Sequence, residues 1–379
     1  MNEEQRPRAF NVWVKSGIRL GALVLVVFGI GHFLHNSTDE LAQQQEKLER
    51  QASELLRKAD RTEDATEAEQ LRSRARTLLS QAQAFWCPSW SGLCSACCFA
   101  MGAMLPAGVF WRRCLVEMDQ VHHVWDTLWA YFYGNLGRYV PGKALVLVLR
   151  IASLANHQVK KTVVVMTIFV ETLTNMAVGC AMAAACLIWL DIDWRLSVLA
   201  AVMVLVTWIP VSPPLLQFLL PRLQKGVASE ELERWTSRIR WPLFFRGWVM
   251  LSLGWLLYGL SLLWVLQSLP AVELESSDWM LVMASAMAAS ALAIVLGFLS
   301  LIPAGAGVRE LIISAVLSPV VGPVAAVCAA FWWRIVCLVG ELVWLVILFL
   351  IRRAGATHPA QGYALGPPSE AKDFESSKS

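Results

Sequence analysis

GRYVPGK at 137–143 and IPAGAGVRE at 302–310 each break a long apolar run with glycine, proline and charge. Gly137, Pro141 and Gly142 in the first, and Pro303, Gly305 and Gly307 in the second, prevent a regular helix there. On either side lie windows of about 20 residues with almost no charge, enough at about 1.5 Å per residue to cross a hydrocarbon core of about 30 Å. These runs are continuous and rich in Leu, Ala and Val, whereas a membrane β-barrel needs roughly ten-residue segments of alternating character. The expected fold is an all-α membrane protein, a polytopic helical bundle with two Gly/Pro-broken re-entrant segments.

Composition leads to the same place. The chain is 56% apolar and 16% charged, where a soluble domain is usually about a quarter charged. A net charge of +3 is too small to indicate nucleic acid. Eight of the nine cysteines lie in or beside apolar spans, where Cys packs as a small hydrophobe. Cys94 and Cys97 form a CxxC, but Ser95, Ala96, Phe99 and Ala100 around them read as helix interior. Neither a metal site nor a cofactor is expected.

The predicted spans are 12–34, 91–111, about 162–190, 195–220, 246–267 and 279–301, then a short one at 308–319 and a long one at 323–351. Residues 1–37 form an N-terminal anchor helix entered from Arg6, Arg8, Lys15 and Arg19; a signal peptide competes, but GHFLHNS is bulky where cleavage needs small residues. Residues 38–85 are rich in Glu, Arg, Gln and Ala without Gly or Pro. They predict a soluble helical hairpin or coiled-coil insert, either a docking or self-association arm or a solvated spacer. Residues 86–353 form the polytopic membrane domain, and 354–379 a disordered tail.

Charge placement orients the spans. The loop 221–246 carries Arg222, Lys225, Arg234, Arg238, Arg240 and Arg246, while the opposite loops carry Asp191, Asp193, Glu273, Glu275 and Asp278. The positive-inside rule then puts both termini in the cytoplasm. Even crossing numbers make 114–160 an excursion from the cytoplasmic side and 279–319 a pair meeting at the second break.

Backbone broken at bilayer depth cannot face lipid, so both breaks must be buried or line a hydrated cavity. Arg138 and Lys143 bring charge to the first, Arg309 and Glu310 to the second. Paired interrupted helices in two halves of a chain point to a midplane site; ordinary cytoplasmic loops are the alternative. Glu171, Arg334 and Glu341 lie inside spans, at about 2.5–3.5 kcal/mol each unless paired or hydrated. They form either ion pairs joining helices, such as Glu171 with Arg138 or Arg309, or a polar path for a lipid head group.

GRYVPGK, an intramembrane VET, then SLIPAGAGVRE and a last helix bearing Arg resemble the transmembrane region of the lysylphosphatidylglycerol synthase family, the flippase-like integral membrane proteins. The resemblance covers roughly 91–351 and the first span. Its KYxPGK-like stretch is matched by Arg138, Tyr139, Pro141, Gly142 and Lys143, its membrane Glu by Glu171, and its PGGxGxRE-like stretch by Pro303, Gly305, Gly307, Arg309 and Glu310. Thr172, Asn175 and Ala304 depart from the pattern. The resemblance implies a bacterial inner-membrane protein that moves or presents a phosphate-bearing lipid, an anionic phospholipid or a polyprenyl phosphate. Arg138, Lys143 and Arg309 would hold the phosphate, and Glu171 and Glu310 would position those bases. No soluble aminoacyl-transfer domain follows Arg353, and no GxxxxGK[ST] loop is present. A lipid-modifying enzyme using Glu171 or Glu310 as base, and a non-catalytic scaffold docking partners through 38–85, are the other readings.

Overall fold

The computed structural model describes residues 42–62 (except 44), 64–84, 88–120, 123–140, 144–155, 159–190, 237–270, 279–300 and 302–356, with isolated positions between 195 and 217. The predicted anchor at 12–34, most of the predicted span 195–220 and the tail beyond 356 lie outside the described residues. The described part is helical throughout, without strands.

The first two helices are α1 (45–59) and α2 (Ala65–Ala84), joined by a turn. Their buried positions are Ala52, Ala59, Ala68 and Ala75. Leu48, Leu55, Leu71 and Leu78 beside them are only half-buried, so the seven-residue spacing of the seam runs through alanine.

Six helices are long and apolar enough to cross a membrane, and the chain is a multi-pass membrane protein. They are α3 (Trp90–Glu117), α6 (Lys161–Leu190), α7 (Trp241–Ser268), α8 (Trp279–Leu299), α9 (Val308–Val321, preceded by a 3-10 turn Pro303–Gly305) and α10 (Pro323–Ala356). Between α3 and α6 stand two short helices, α4 (Val124–Asn135) and α5 (Ala144–Leu154), with a 3-10 turn at Leu136–Tyr139 after α4. Helix α3 passes its predicted end at 111 and continues through Arg112 and Arg113, because Cys114, Leu115 and Met118 beyond them are core residues, at most 1% exposed.

Lipid gives apolar side chains no reason to associate, so close packing of small residues and interhelical hydrogen bonds join the bundle. Helices α3 and α7 are the clearest case. The Ser89 amide donates to the Ser268 carbonyl at 2.8 Å, the Ser261 hydroxyl to Ala96 O at 2.8 Å, and Gly247 lies against the Phe110 ring. These partners descend on one helix as they rise on the other, so the pair is antiparallel. The indole of Trp111 donates to Thr167 Oγ1 at 3.1 Å and ties α3 to α6. Phe132 stacks on Trp344, centroids 5.4 Å apart, and packs α4 on α10.

Polar contacts sort the helix ends into two faces. Arg238, just before α7, pairs with Asp119, just after α3, at 2.7 Å. Arg352 near the end of α10 pairs with Asp126 at the start of α4 at 3.2 Å and covers the Trp129 ring. The Lys160 amide, at the start of α6, donates to Gln120 at 3.3 Å. One end of the bundle thus collects Lys160, Lys161, Arg238, Arg240, Arg352 and Arg353. The other carries the Ser89–Ser268 contact and the start of α8.

The two broken segments therefore enter from opposite ends. Helices α4 and α5 leave from and return to the basic end, while α8 and α9 form a hairpin from the other end. Leu136 and Tyr139 of the first break pack with Ala304 of the second and Leu338 of α10 in one small cluster.

Candidate functional site

Each break owes its shape to local chemistry. At the first, Gly137 brings the turn against α5: a Cβ on Gly137 would sit 2.5 Å from the Val146 amide nitrogen. Gly134, one turn earlier, lies beneath the aliphatic stem of Arg150, where a Cβ would overlap Cγ. At the second, Ala304 (φ 51°), Gly305 (φ 68°) and Gly307 (φ 79°) all adopt left-handed backbone. Glycine takes that conformation freely, and alanine only at a cost. The Ala304 carbonyl is consequently turned toward α10, where it accepts from Arg334 Nη2 at 3.4 Å.

Four arginines and three glutamates converge around these turns, and most are paired. Arg138 Nη2 meets Glu341 Oε1 at 2.9 Å, and Tyr139 donates its hydroxyl to Glu341 Oε2 at 3.2 Å. Arg150 Nη1 meets Glu171 Oε2 at 3.1 Å, and its Nη2 donates to Asn135 Oδ1 at 2.9 Å. Its guanidinium is stacked between Trp111 and Tyr131, 4.8 and 4.3 Å from the ring centroids. Arg334 pairs with Glu310. Seven unpaired charges at this depth would be prohibitive; pairing and hydrogen bonding make the cluster tenable.

Arg309 differs from the other three. Among the described residues no carboxylate lies within ion-pair distance of it, and its Nε is buried without a hydrogen-bond partner. It is held in place sterically: a Cβ on Gly297 would lie 2.8 Å from Arg309 Cγ and 2.9 Å from Nε.

The cluster surrounds a cavity of about 320 Å³, within the size range of small-ligand pockets. Polar lining comes from Asn135, Arg138, Tyr139, Arg150, Glu171, Tyr258, Arg309, Arg334 and Glu341. Apolar lining comes from α3, α5, α6, α7 and α8, including Met104, Leu147, Phe169, Leu173, Ile294 and Phe298. Pro106 of α3 also lines it, and a mid-helix proline frees the carbonyl one turn earlier.

Of the residues expected from the sequence, Arg138, Glu171 and Arg309 line one cavity, together with Gly305. Glu310 stands behind it on Arg334, and its Oε2 is buried without a partner. Pro303 starts the second 3-10 turn and Gly307 caps α9. Lys143, Pro141 and Gly142 lie outside the described residues. Glu171 pairs with Arg150, not with Arg138 or Arg309, and Arg138 is held instead by Glu341. Arg150 was missed by sequence reasoning, because it closes an apolar run where a base looks like an interfacial anchor. The signal available was Gly134 on the preceding helix, where a side chain crossing above requires the absence of a Cβ. No family model and no curated protein matches this chain.

At Asn175 and Ala304 the backbone carries the contact. The Asn175 carbonyl accepts from the Trp255 indole at 3.1 Å, and Ala304 contributes its carbonyl to Arg334. Among the described residues no group of three or more His, Cys, Asp or Glu is placed to hold a metal ion.

Proposed function

We propose that this chain binds an anionic, phosphate-bearing lipid and moves or presents it across the bacterial inner membrane, with its basic end in the cytoplasm. The observation that carries this reading is Arg309, a guanidinium without a carboxylate partner among the described residues, lining a cavity with otherwise paired charges. A partly buried cation beside apolar walls is costly unless an anion completes it. Arg309 itself sits in the first turn of α9, whose N-cap Gly307 provides no side-chain cap and leaves amide donors near the break. Arg138, Arg150 and Arg334 hold the walls through their glutamates. Lys143, which lies outside the described residues, belongs to the same binding group by the family resemblance.

The reading is tested in proteoliposomes with fluorescent phosphatidylglycerol, following leaflet exchange by quenching of the outer label. Wild type is expected to exchange lipid well above empty vesicles, with a loss of tenfold or more in Arg309→Ala and a smaller one in Lys143→Ala. Equal rates in wild type, both variants and empty vesicles would overturn it.

A further inference from the structure

Cys337 of α10 lines the cavity, one turn after Arg334 and one turn before Glu341. It is half-buried with a free thiol, and so is Cys97 of α3. The packing of the two helices brings these cysteines together. Both run from the end with the Ser89–Ser268 contact toward the basic end, so they are parallel. Gly340 is set against α3: a Cβ there would lie 3.1 Å from Met101 Cγ and 3.9 Å from Ala100 Cβ. One turn on, the Trp344 indole donates to the Met101 carbonyl at 3.0 Å. One turn back, the same register sets Cys337 opposite Cys97, and the two thiols lie within electrostatic reach of each other.

A glycine at the crossing lets two backbones approach closely, and close approach is what a disulfide needs, with Cα atoms about 4.4–6.8 Å apart. The CxxC spacing therefore points to the wrong partner: Cys94 stands on the same helix as Cys97, whereas Cys337 faces it from another. Cys97 lies two turns inside the Trp90 start of α3, about 10 Å at about 1.5 Å per residue, on the side away from the basic end. In the orientation proposed above that side is periplasmic, a compartment where disulfides form and persist.

We propose that Cys97 and Cys337 are a redox pair that closes to an interhelical disulfide beside the cavity, with a disulfide compound at the outer end of the bundle as oxidant. Cys97, as the thiolate, attacks one sulfur of that compound, whose S–S bond breaks and releases its other half as a thiolate. Cys337 then attacks the Cys97 sulfur and releases the remaining half. One S–S bond forms and one breaks, the two cysteines give up two electrons, and their protons leave with the two thiol products. The bond fixes α10, and with it Arg334 and Glu341, against α3, which supplies Met104 and Pro106 to the same cavity wall.

The test uses the full chain in proteoliposomes, reduced, then incubated with oxidised glutathione, quenched with N-ethylmaleimide and digested with chymotrypsin for mass spectrometry. Wild type is expected to yield a linked peptide pair joining Cys97 to Cys337, two hydrogens lighter than the separate peptides and released again by reduced glutathione. The pair should persist in Cys94→Ser and Cys98→Ser and vanish in Cys97→Ser and Cys337→Ser. Oxidised wild type should also unfold at a higher fraction of denaturing detergent than reduced wild type, since the bond closes a long loop, and Cys337→Ser should show no such shift. Alkylated or glutathione-capped Cys337 in wild type without the linked pair would overturn the proposal, as would a link confined to Cys94 and Cys97 or one joining two copies of the chain. These readouts contain no lipid transport step, so they stand or fall apart from the lipid-binding reading.

Discussion

Replacing Arg150 by Met tests the cluster at its most buried pair. The Arg150 and Glu171 side chains are 3% and 4% exposed and meet at 3.1 Å. Methionine retains much of the stem that crosses Gly134 and removes the guanidinium. Glu171 then keeps only the Thr172 hydroxyl at 3.3 Å, and Asn135 loses its donor at 2.9 Å. Stranding one partner of a buried pair costs about 3–5 kcal/mol, and the lost stacking on Trp111 and Tyr131 adds about 0.5–2 kcal/mol. The expected loss is about 3.5–7 kcal/mol. Glu171→Gln added to Arg150→Met discharges the stranded carboxylate and is expected to recover at least about 2 kcal/mol, a coupling that contact pairs can reach. Unfolding in mixed micelles titrated with a denaturing detergent, followed by circular dichroism, measures both variants. Additive losses, with coupling under about 0.5 kcal/mol, would refute the claim that these two charges are held together as one unit.

Three further outcomes are expected. Glu341→Gln removes the anion shared by Arg138 and Tyr139 and should cost about 3 kcal/mol, against about 1 kcal/mol for Tyr139→Phe, which deletes one hydrogen bond; the same titration ranks them, and equal losses would contradict the assigned pairing. A Cβ at Gly307 meets nothing within 4 Å but must adopt φ 79°, whereas one at Gly305 adds a 2.8 Å contact with Gly297 Cα. Gly307→Ala should therefore cost about 1–2 kcal/mol and Gly305→Ala clearly more, and the reverse order in thermal unfolding would count against this geometry. In cells, an impermeant thiol reagent should modify Lys47→Cys from the periplasm and Arg234→Cys only after lysis, and the opposite pattern would invert the orientation.

The helices were legible because each is a window of about 20 apolar residues, and lipid permits few structures besides a helix for such a window. The breaks were equally plain, since glycine and proline act locally. The pairing of charges was not. Glu171 sits in VET with nothing nearby to show whether it faces Arg138, Arg150 or Arg309; the choice depends on how α5 crosses α4 above Gly134, a contact between chain segments. Arg334 and Glu341 stood out as costly within their span, but their partners, Glu310 and Arg138, come from opposite ends of the bundle. In the helical insert, a hairpin or coiled coil was legible from composition and spacing, but not that its seam would bury Ala52, Ala59, Ala68 and Ala75 and leave the neighbouring leucines half-buried. Small residues permit close approach, and periodicity alone does not report interaxial distance.

Of the 19 residues of the span Pro303–Val321, regular α-helix occupies only the 14 of α9, about 21 Å at about 1.5 Å each against a hydrocarbon layer of about 30 Å, so the broken turn has to make up the rest of that wall. A bilayer meeting so short a wall thins locally or pulls water inward to meet it. The permeation barrier beside Arg309 is then lower than elsewhere in the same membrane, before any conformational change. Host vesicles of short-chain lipid should narrow the difference between this patch and its surroundings and those of long-chain lipid widen it, making bilayer thickness a variable that the protein senses through one truncated helix.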